Sequence, residues 1–171
     1  MSQSLLILGV QSPLCVEFEE TCYRSSIEVE AAISFGKIVR WLDSSVVVIA
    51  ADFDVSSAAS SFLPCAFAPA RRRELVEWGD TQGLPRAEAL LDPSSIVAKS
   101  ARISQLVFIN SAAVIGAATI IRTGALINRS SSVGHHCIVG AYTSIGPGAV
   151  LASNVVLGDD SIVGAGAVVC P

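Results

Sequence analysis

Aliphatic residues recur at every sixth position through the second half of the chain. The register begins at Val97 and continues without a break to Val169. When about a quarter to a third of residues are aliphatic, chance does not produce a register of this length. The period therefore predicts a repeating unit of six residues. Its members are Val97, Ile103, Ile109, Ile115, Ile121, Ile127, Val133, Val139, Ile145, Leu151, Leu157, Val163 and Val169.

A second position of the repeat is restricted as well. The fourth residue after each aliphatic is small or β-branched, as at Ala113, Thr119 and Ala125, so both positions are predicted to point into a core. The residue directly after the aliphatic is often Gly or Asn, as at Gly134 and Asn128. These residues most easily adopt the unusual dihedral angles of a sharp corner. Each unit is therefore predicted to form one short strand and one turn.

Three such units would close one triangular coil. Coils of about 18 residues, stacked at about 4.8 Å, pair each backbone group with the coil above or below. No insertion interrupts the register, which supplies roughly four coils. We predict a prism of parallel strands over residues 91–171 and a separate domain over residues 1–90.

The first half of the chain alternates apolar runs with helix-like segments. Ser12–Pro13 is typical of a helix N-cap and first turn, and the helix is expected to continue to about Cys22. A second helix is predicted around Arg71–Trp78, for which a solvated charged face is the favoured interpretation and contact with a phosphate the alternative. The pattern indicates a small α/β, Rossmann-like domain. The predicted strands are Leu5–Gly9, Ile27–Phe35 and Val46–Ala51.

Charge and composition narrow the possible partners. The net charge is −4, which disfavours nucleic acid or an anionic membrane surface as the main partner. Met1–Gly9 has no basic residue before its apolar run, so it is predicted to be a first strand and the protein to be cytoplasmic. The five cysteines form no CxxC pair and are predicted to be reduced thiols, with Cys137 a small core residue.

The two histidines are adjacent, within Val133-Gly134-His135-His136-Cys137. They are the second and third residues after an inward aliphatic, which places them at a corner with outward side chains. An exposed histidine is a suitable general base, because its ordinary pKa is about 6.5. The histidines are therefore the candidate catalytic residues.

Residues 127–140, followed by Gly146-Pro147-Gly148-Ala149-Val150-Leu151, resemble the core motif of the sialic acid O-acetyltransferase and nucleotide-aminosugar N-acetyltransferase family. Asp92-Pro93-Ser94-Ser95-Ile96-Val97 is similar to the entry into that family's prism. The resemblance covers about residues 85–171. It implies a left-handed parallel β-helix of hexapeptide repeats, a homotrimer, and direct acetyl transfer from acetyl-CoA to a sugar or nucleotide-linked amino sugar, without a metal.

The resemblance also implies roles for individual residues. His135 corresponds to the family's catalytic base, and His136 stands where the family usually has Asp or Glu to orient it. Asn128 corresponds to an asparagine near the acceptor. The N-terminal domain would hold the nucleotide sugar. The positions implied for acetyl-CoA are Ser144, Gly146 and Ser153.

Two other function classes remain open. One is a non-catalytic trimeric scaffold or regulator of a biosynthetic complex. The presence of His136, where the family usually has Asp or Glu, favours this class. The other is a metal-dependent lyase of the γ-carbonic anhydrase type, which shares the prism but needs three separated histidines. Only two histidines exist, and they are adjacent.

Overall fold

A computed structural model describes residues 4–36 and 41–171. The first four strands form one parallel sheet in the order β3-β2-β1-β4. One helix and two short 3₁₀ turns, Ala50–Asp52 and Val55–Ser57, lie between these strands, and a second helix follows the last of them. The elements are β1 (Ser4–Leu8), α1 (Cys15–Arg24), β2 (Glu28–Ser34), β3 (Val47–Ile49), β4 (Ser61–Pro64) and α2 (Pro69–Thr81).

The N-terminal predictions are confirmed for three strands and two helices, with two corrections. β4 was not expected, because a four-residue run that ends in Pro64 gives little strand signal. The predicted Ser12 cap is wrong: α1 begins at Cys15, and Ser12 Oγ accepts a hydrogen bond from Leu14 N at 3.3 Å in the preceding turn. Residues 1–3 of the predicted first strand lie outside the described residues.

The repeat forms fourteen two-residue strands at six-residue spacing, and the strands stack in parallel as three faces. The first face contains β5 (Leu90–Leu91), β8 (Phe108–Ile109), β11 (Leu126–Ile127), β14 (Ser144–Ile145) and β17 (Ile162–Val163). The second contains β6 (Ile96–Val97), β9 (Val114–Ile115), β12 (Ser132–Val133), β15 (Val150–Leu151) and β18 (Val168–Val169). The third contains β7 (Arg102–Ile103), β10 (Ile120–Ile121), β13 (Ile138–Val139) and β16 (Val156–Leu157).

Both inward positions of the repeat are confirmed. Ile115, Ile121 and Val139 are buried in one cluster inside the prism, together with the small residues Ala113 and Cys137. Each strand pairs with the strand 18 residues later, as Ile121 does with Val139. This arrangement fits a left-handed β-helix.

The predicted reason for glycine at the corners is wrong. Positive φ angles occur at the third residue after each aliphatic from Ile103 to Val163, as at His136 (57°) and Asn154 (64°), and not at the first. Gly134, a first residue, is required by close approach instead, since a Cβ there would lie 2.6 Å from Ser153 N in the next coil. Small residues at this position let successive coils stack tightly.

The first face of the prism shares a core with the N-terminal sheet. Phe108, Leu126 and Tyr142 belong to the same buried cluster as the strands β1, β2 and β4. Phe18 of α1 stacks on Phe108, with ring centroids 3.9 Å apart. The N-terminal domain thus covers the middle of the first face, whereas Val114, Val150 and Val156 are exposed on the second and third faces, which remain open.

Candidate functional site

The histidine corner, defined as Gly134–His136 and Ala152–Asn154, joins the second and third faces of the prism. It is therefore the one corner that does not border the covered first face. Both histidine side chains are exposed. The structure thus places the predicted catalytic residues on the side of the prism away from the N-terminal sheet of the same chain.

Backbone packing fixes the shape of this corner. Asn154 N donates to His135 O at 3.0 Å, and His136 N donates to Ala117 O at 2.9 Å. A Cβ at Gly116 would lie 2.6 Å from His135 N. The backbone of the two histidines is consequently held by hydrogen bonds to the coils on both sides, although the side chains are exposed.

The two imidazole rings contact each other directly. Their Nδ1 atoms lie 2.9 Å apart and the rings are nearly perpendicular, at 89°. Such a contact requires one Nδ1 to carry a hydrogen and the other to present a lone pair. If His135 is the donor, its Nε2 is free to accept a proton and His136 is the neutral Nε2–H tautomer. This arrangement suits His135 as base and His136 as its orienting partner.

Ser153 lies on the same corner, one coil beyond His135. Its backbone N is 2.6 Å from the position that a Cβ of Gly134 would occupy, and its side chain is half-buried. The structure therefore brings together three of the predicted site residues, His135, His136 and Ser153.

Asn128 and Gly146 lie elsewhere, on the corner between the first and second faces. Asn128 is buried, and its Oδ1 accepts hydrogen bonds from Asn110 Nδ2 at 3.0 Å and Arg129 N at 2.8 Å. The buried Gly146 donates its N–H to Val163 O at 2.8 Å. Neither residue approaches the histidines of its own chain, because a whole prism strand separates the two corners.

Ser144 lies beneath the N-terminal domain. It is fully buried, and its hydroxyl donates to Phe67 O at 2.5 Å and accepts from Arg72 Nη2 at 2.8 Å. The loop that covers it consists of residues 65–68, between β4 and α2. A cofactor cannot reach this hydroxyl unless that loop moves. The structure does not bring Ser144 to the histidine corner.

Two adjacent grooves open on the N-terminal side of the molecule. The sheet groove, of about 440 Å³, lies at the carboxyl ends of β1 and β4 and is lined by Gly9, Ser12, Cys65, Ala66, Phe67 and Arg71. The corner groove, of about 450 Å³, is lined by Leu14, Glu17, Phe67, Asn128, Arg129 and Pro147. Phe67 contributes to both grooves.

The sequence predictions missed Phe67 and the middle arginine of the Arg71–Arg73 run. The expectation of a solvated helical face is wrong for Arg72, which is 1% exposed. Burial lowers the pKa of Arg72 to about 10, so the guanidinium remains charged at neutral pH. The spacing of residues along the helix did carry a signal for this burial. One helical face is formed by the buried residues Arg72, Leu75, Val76 and Gly79.

Two further features of the described ranges bear on the site. Within residues 4–36 and 41–171, no group of three or more His, Cys, Asp or Glu side chains is arranged to hold a metal ion. In the same ranges, neither helix has the length and apolar character needed to cross a bilayer.

The chain matches a known sequence repeat over its last part and known acetyltransferases in fold. Residues 136–171 match the family model of the bacterial transferase hexapeptide (six repeats). No curated protein sequence matches the chain significantly.

Two solved structures align with almost the whole chain. The acetyltransferase domain of PglB from Neisseria gonorrhoeae FA1090, in complex with acetyl coenzyme A, aligns with a TM-score of 0.77 at 16% identity, over 99% of this chain and 94% of that one. PerB from Caulobacter crescentus, in complex with CoA and GDP-perosamine, aligns with a TM-score of 0.73 at 22% identity, over 97% and 88%. This chain thus contains hexapeptide repeats and has the fold of these acetyltransferases.

Proposed function

We propose that the protein transfers an acetyl group from acetyl-CoA to a nucleotide-linked amino sugar, with His135 as general base. The observation that carries the proposal is the exposed histidine pair, with its Nδ1 atoms 2.9 Å apart, on an open corner of a hexapeptide prism. The folds of PglB, bound to acetyl coenzyme A, and PerB, bound to CoA and GDP-perosamine, support it. The cytoplasm is the expected location.

Acetyl-CoA supplies the acetyl group as a thioester. His135 Nε2 accepts the proton that the acceptor amine or hydroxyl loses as it attacks the thioester carbon. The carbon–sulfur bond then breaks, and CoA leaves as a thiolate that takes up the proton from His135 and becomes the free thiol. The imidazolium that forms keeps its Nδ1–H, which donates to the lone pair of His136 Nδ1. A neutral imidazole orients the base in this way but stabilises its charge less than a carboxylate would. Ser153, on the next coil, lies at the proposed position for the CoA chain.

The sheet groove is the proposed acceptor site. The strand order β3-β2-β1-β4 matches the first four strands of the doubly wound nucleotide-binding order, and ligands of such sheets bind beyond the carboxyl ends where the order reverses. That point lies between β1 and β4, at the sheet groove. This supports a Rossmann-like N-terminal domain, over residues 1–90, that holds the nucleotide sugar.

A second copy of the chain is needed to complete this site. Within one chain the histidine corner is opposite the covered first face, whereas the grooves and Asn128 lie beside that face. Apolar side chains flank the histidine corner on the open faces, with Val150 40% and Val156 67% exposed. In the proposed homotrimer, these faces pack between prisms, and the His135 of one chain meets the grooves of the next.

The assembly and the CoA site are tested together. Light scattering at micromolar concentration is expected to give the mass of a trimer, and crystals grown with CoA are expected to hold it between two prisms, beside His135 and Ser153. A monomer mass would contradict the shared site. A trimer that binds CoA away from both histidines would contradict the proposed chemistry alone.

A further inference from the structure

Arg72 connects the two halves of the molecule through backbone carbonyls. On the N-terminal side, its Nη1 donates to Ala66 O and to Phe67 O, both at 2.7 Å. On the prism side, its Nε donates to Gly124 O at 2.8 Å, and its Nη2 donates to Tyr142 O and Thr143 O. All three guanidinium nitrogens are thus occupied.

None of the ion pairs between described residues includes Arg72. A buried cation without a paired carboxylate is costly unless hydrogen bonds satisfy it. Here the carbonyls of residues 66–67 and of the prism corner do so jointly. If the loop moved away from the prism, the guanidinium would lose the hydrogen bonds to the loop carbonyls. The buried charge of Arg72 therefore stabilises the position of the loop against the prism.

The carbonyl of Phe67 is held twice. It accepts from Arg72 Nη1 and, at 2.5 Å, from Ser144 Oγ of the first prism face. Ser144 Oγ in turn accepts from Arg72 Nη2 at 2.8 Å, which closes a triangle of hydrogen bonds. Ala66, Phe67 and Ala68 line the sheet groove, and Phe67 also lines the corner groove. The triangle therefore fixes the Ala66–Ala68 wall of the sheet groove, and with it Phe67, which the two grooves share.

We infer that Arg72 is a positioning residue that sets the affinity of the sheet groove for a nucleoside diphosphate, by holding the Ala66–Ala68 wall against the prism. This inference rests on the proposed function for the identity of the ligand. Arg72 itself does not touch the ligand, because it is buried behind the wall.

The test is calorimetric titration of the full-length protein with UDP and with GDP. Arg72→Lys keeps the charge but removes the fork of donors that reaches both sides. It is expected to raise the Kd of the nucleotide that wild type binds by about tenfold, as lost hydrogen-bonded positioning predicts, and to leave the Kd of acetyl-CoA unchanged.

Arg73→Lys is the matched control. Arg73 also joins α2 to the prism, through Asp160 at 2.7 Å, but its partner is exposed and it does not bond the loop. The Kd of this variant is expected to stay near the wild-type value. Equal weakening in both variants would overturn the inference, because docking of α2 in general would then explain the effect.

Unchanged nucleotide affinity in a folded Arg72→Lys protein would also overturn it, as would wild-type protein that binds neither UDP nor GDP. If Arg72→Lys does not fold, Ser144→Ala decides. That variant keeps the guanidinium and removes one donor to Phe67 O, so weaker nucleotide binding supports the inference and unchanged binding overturns it. Nucleotide binding that depends on Arg72, without any acetyl transfer, would refute the proposed function and leave the inference standing.

Discussion

His135→Ala is expected to lower turnover by about 10² to 10⁴, the usual contribution of a positioned general base. The substitution removes an exposed ring whose side-chain contact is with His136. The prism beneath it is held by backbone hydrogen bonds that alanine preserves. Trimer mass and CoA affinity should therefore remain at wild-type values while acetyl transfer falls. Equal rates for wild type and His135→Ala with a true acceptor would refute the base assignment.

The neighbouring residue supplies the matched comparison. His136→Ala should reduce turnover much less, because His136 orients the base without taking the proton from the acceptor. His136→Asp should preserve or raise turnover, since a carboxylate stabilises the imidazolium better than a neutral ring does. The φ of 57° at this position suits Asp, which tolerates the left-handed region. A larger loss for His136→Ala than for His135→Ala would reverse the two roles.

Ile115→Asp and Ile121→Asp are each expected to abolish soluble expression. Both side chains are buried inside the prism, at 1% and 0% exposure, in one cluster of aliphatic and small residues. An unpaired buried charge costs several kcal/mol, against a domain stability of about 5 to 15 kcal/mol. Soluble yield and melting temperature are the measurements.

Ala112→Asp is the control for these two substitutions. It adds the same carboxylate to the same coil, at an exposed turn residue with φ of 54°, where Asp is better tolerated than Ala. Its yield should match wild type. Wild-type yield and melting temperature for Ile115→Asp and Ile121→Asp would mean that the inward register is assigned incorrectly.

The prism could be predicted from the sequence because its structure repeats. Each coil places the same kinds of residue at the same positions. Ile115, Val133 and Leu151, for example, stack on successive coils and occupy the same buried position. The error about Gly134 shows the limit of that reasoning. A glycine preference has two physical causes, a positive φ or a close approach, and composition alone does not separate them.

The placement of the candidate site residues could be predicted only in part, because it depends on contacts between distant segments. The adjacency of His135 and His136 is local, so their pairing at one corner could be expected. The burial of Ser144 depends on Phe67 and Arg72, which lie more than 70 residues earlier. Arg72 shares a helical face with the buried Leu75 and Val76, but the prism carbonyls that accept its hydrogen bonds lie more than 50 residues later, so its role could not be predicted from the helix alone.

Acetyl transfer itself is the most direct test of the proposed function. Purified wild-type protein is to be mixed with acetyl-CoA and a panel of nucleotide-linked amino sugars, and the release of free thiol followed over time. At least one acceptor is expected to raise thiol release far above the rate without acceptor, and the product is expected to carry one acetyl group by mass spectrometry. Folded trimer that releases no thiol with any acceptor of the panel would contradict the proposed function and favour a non-catalytic scaffold.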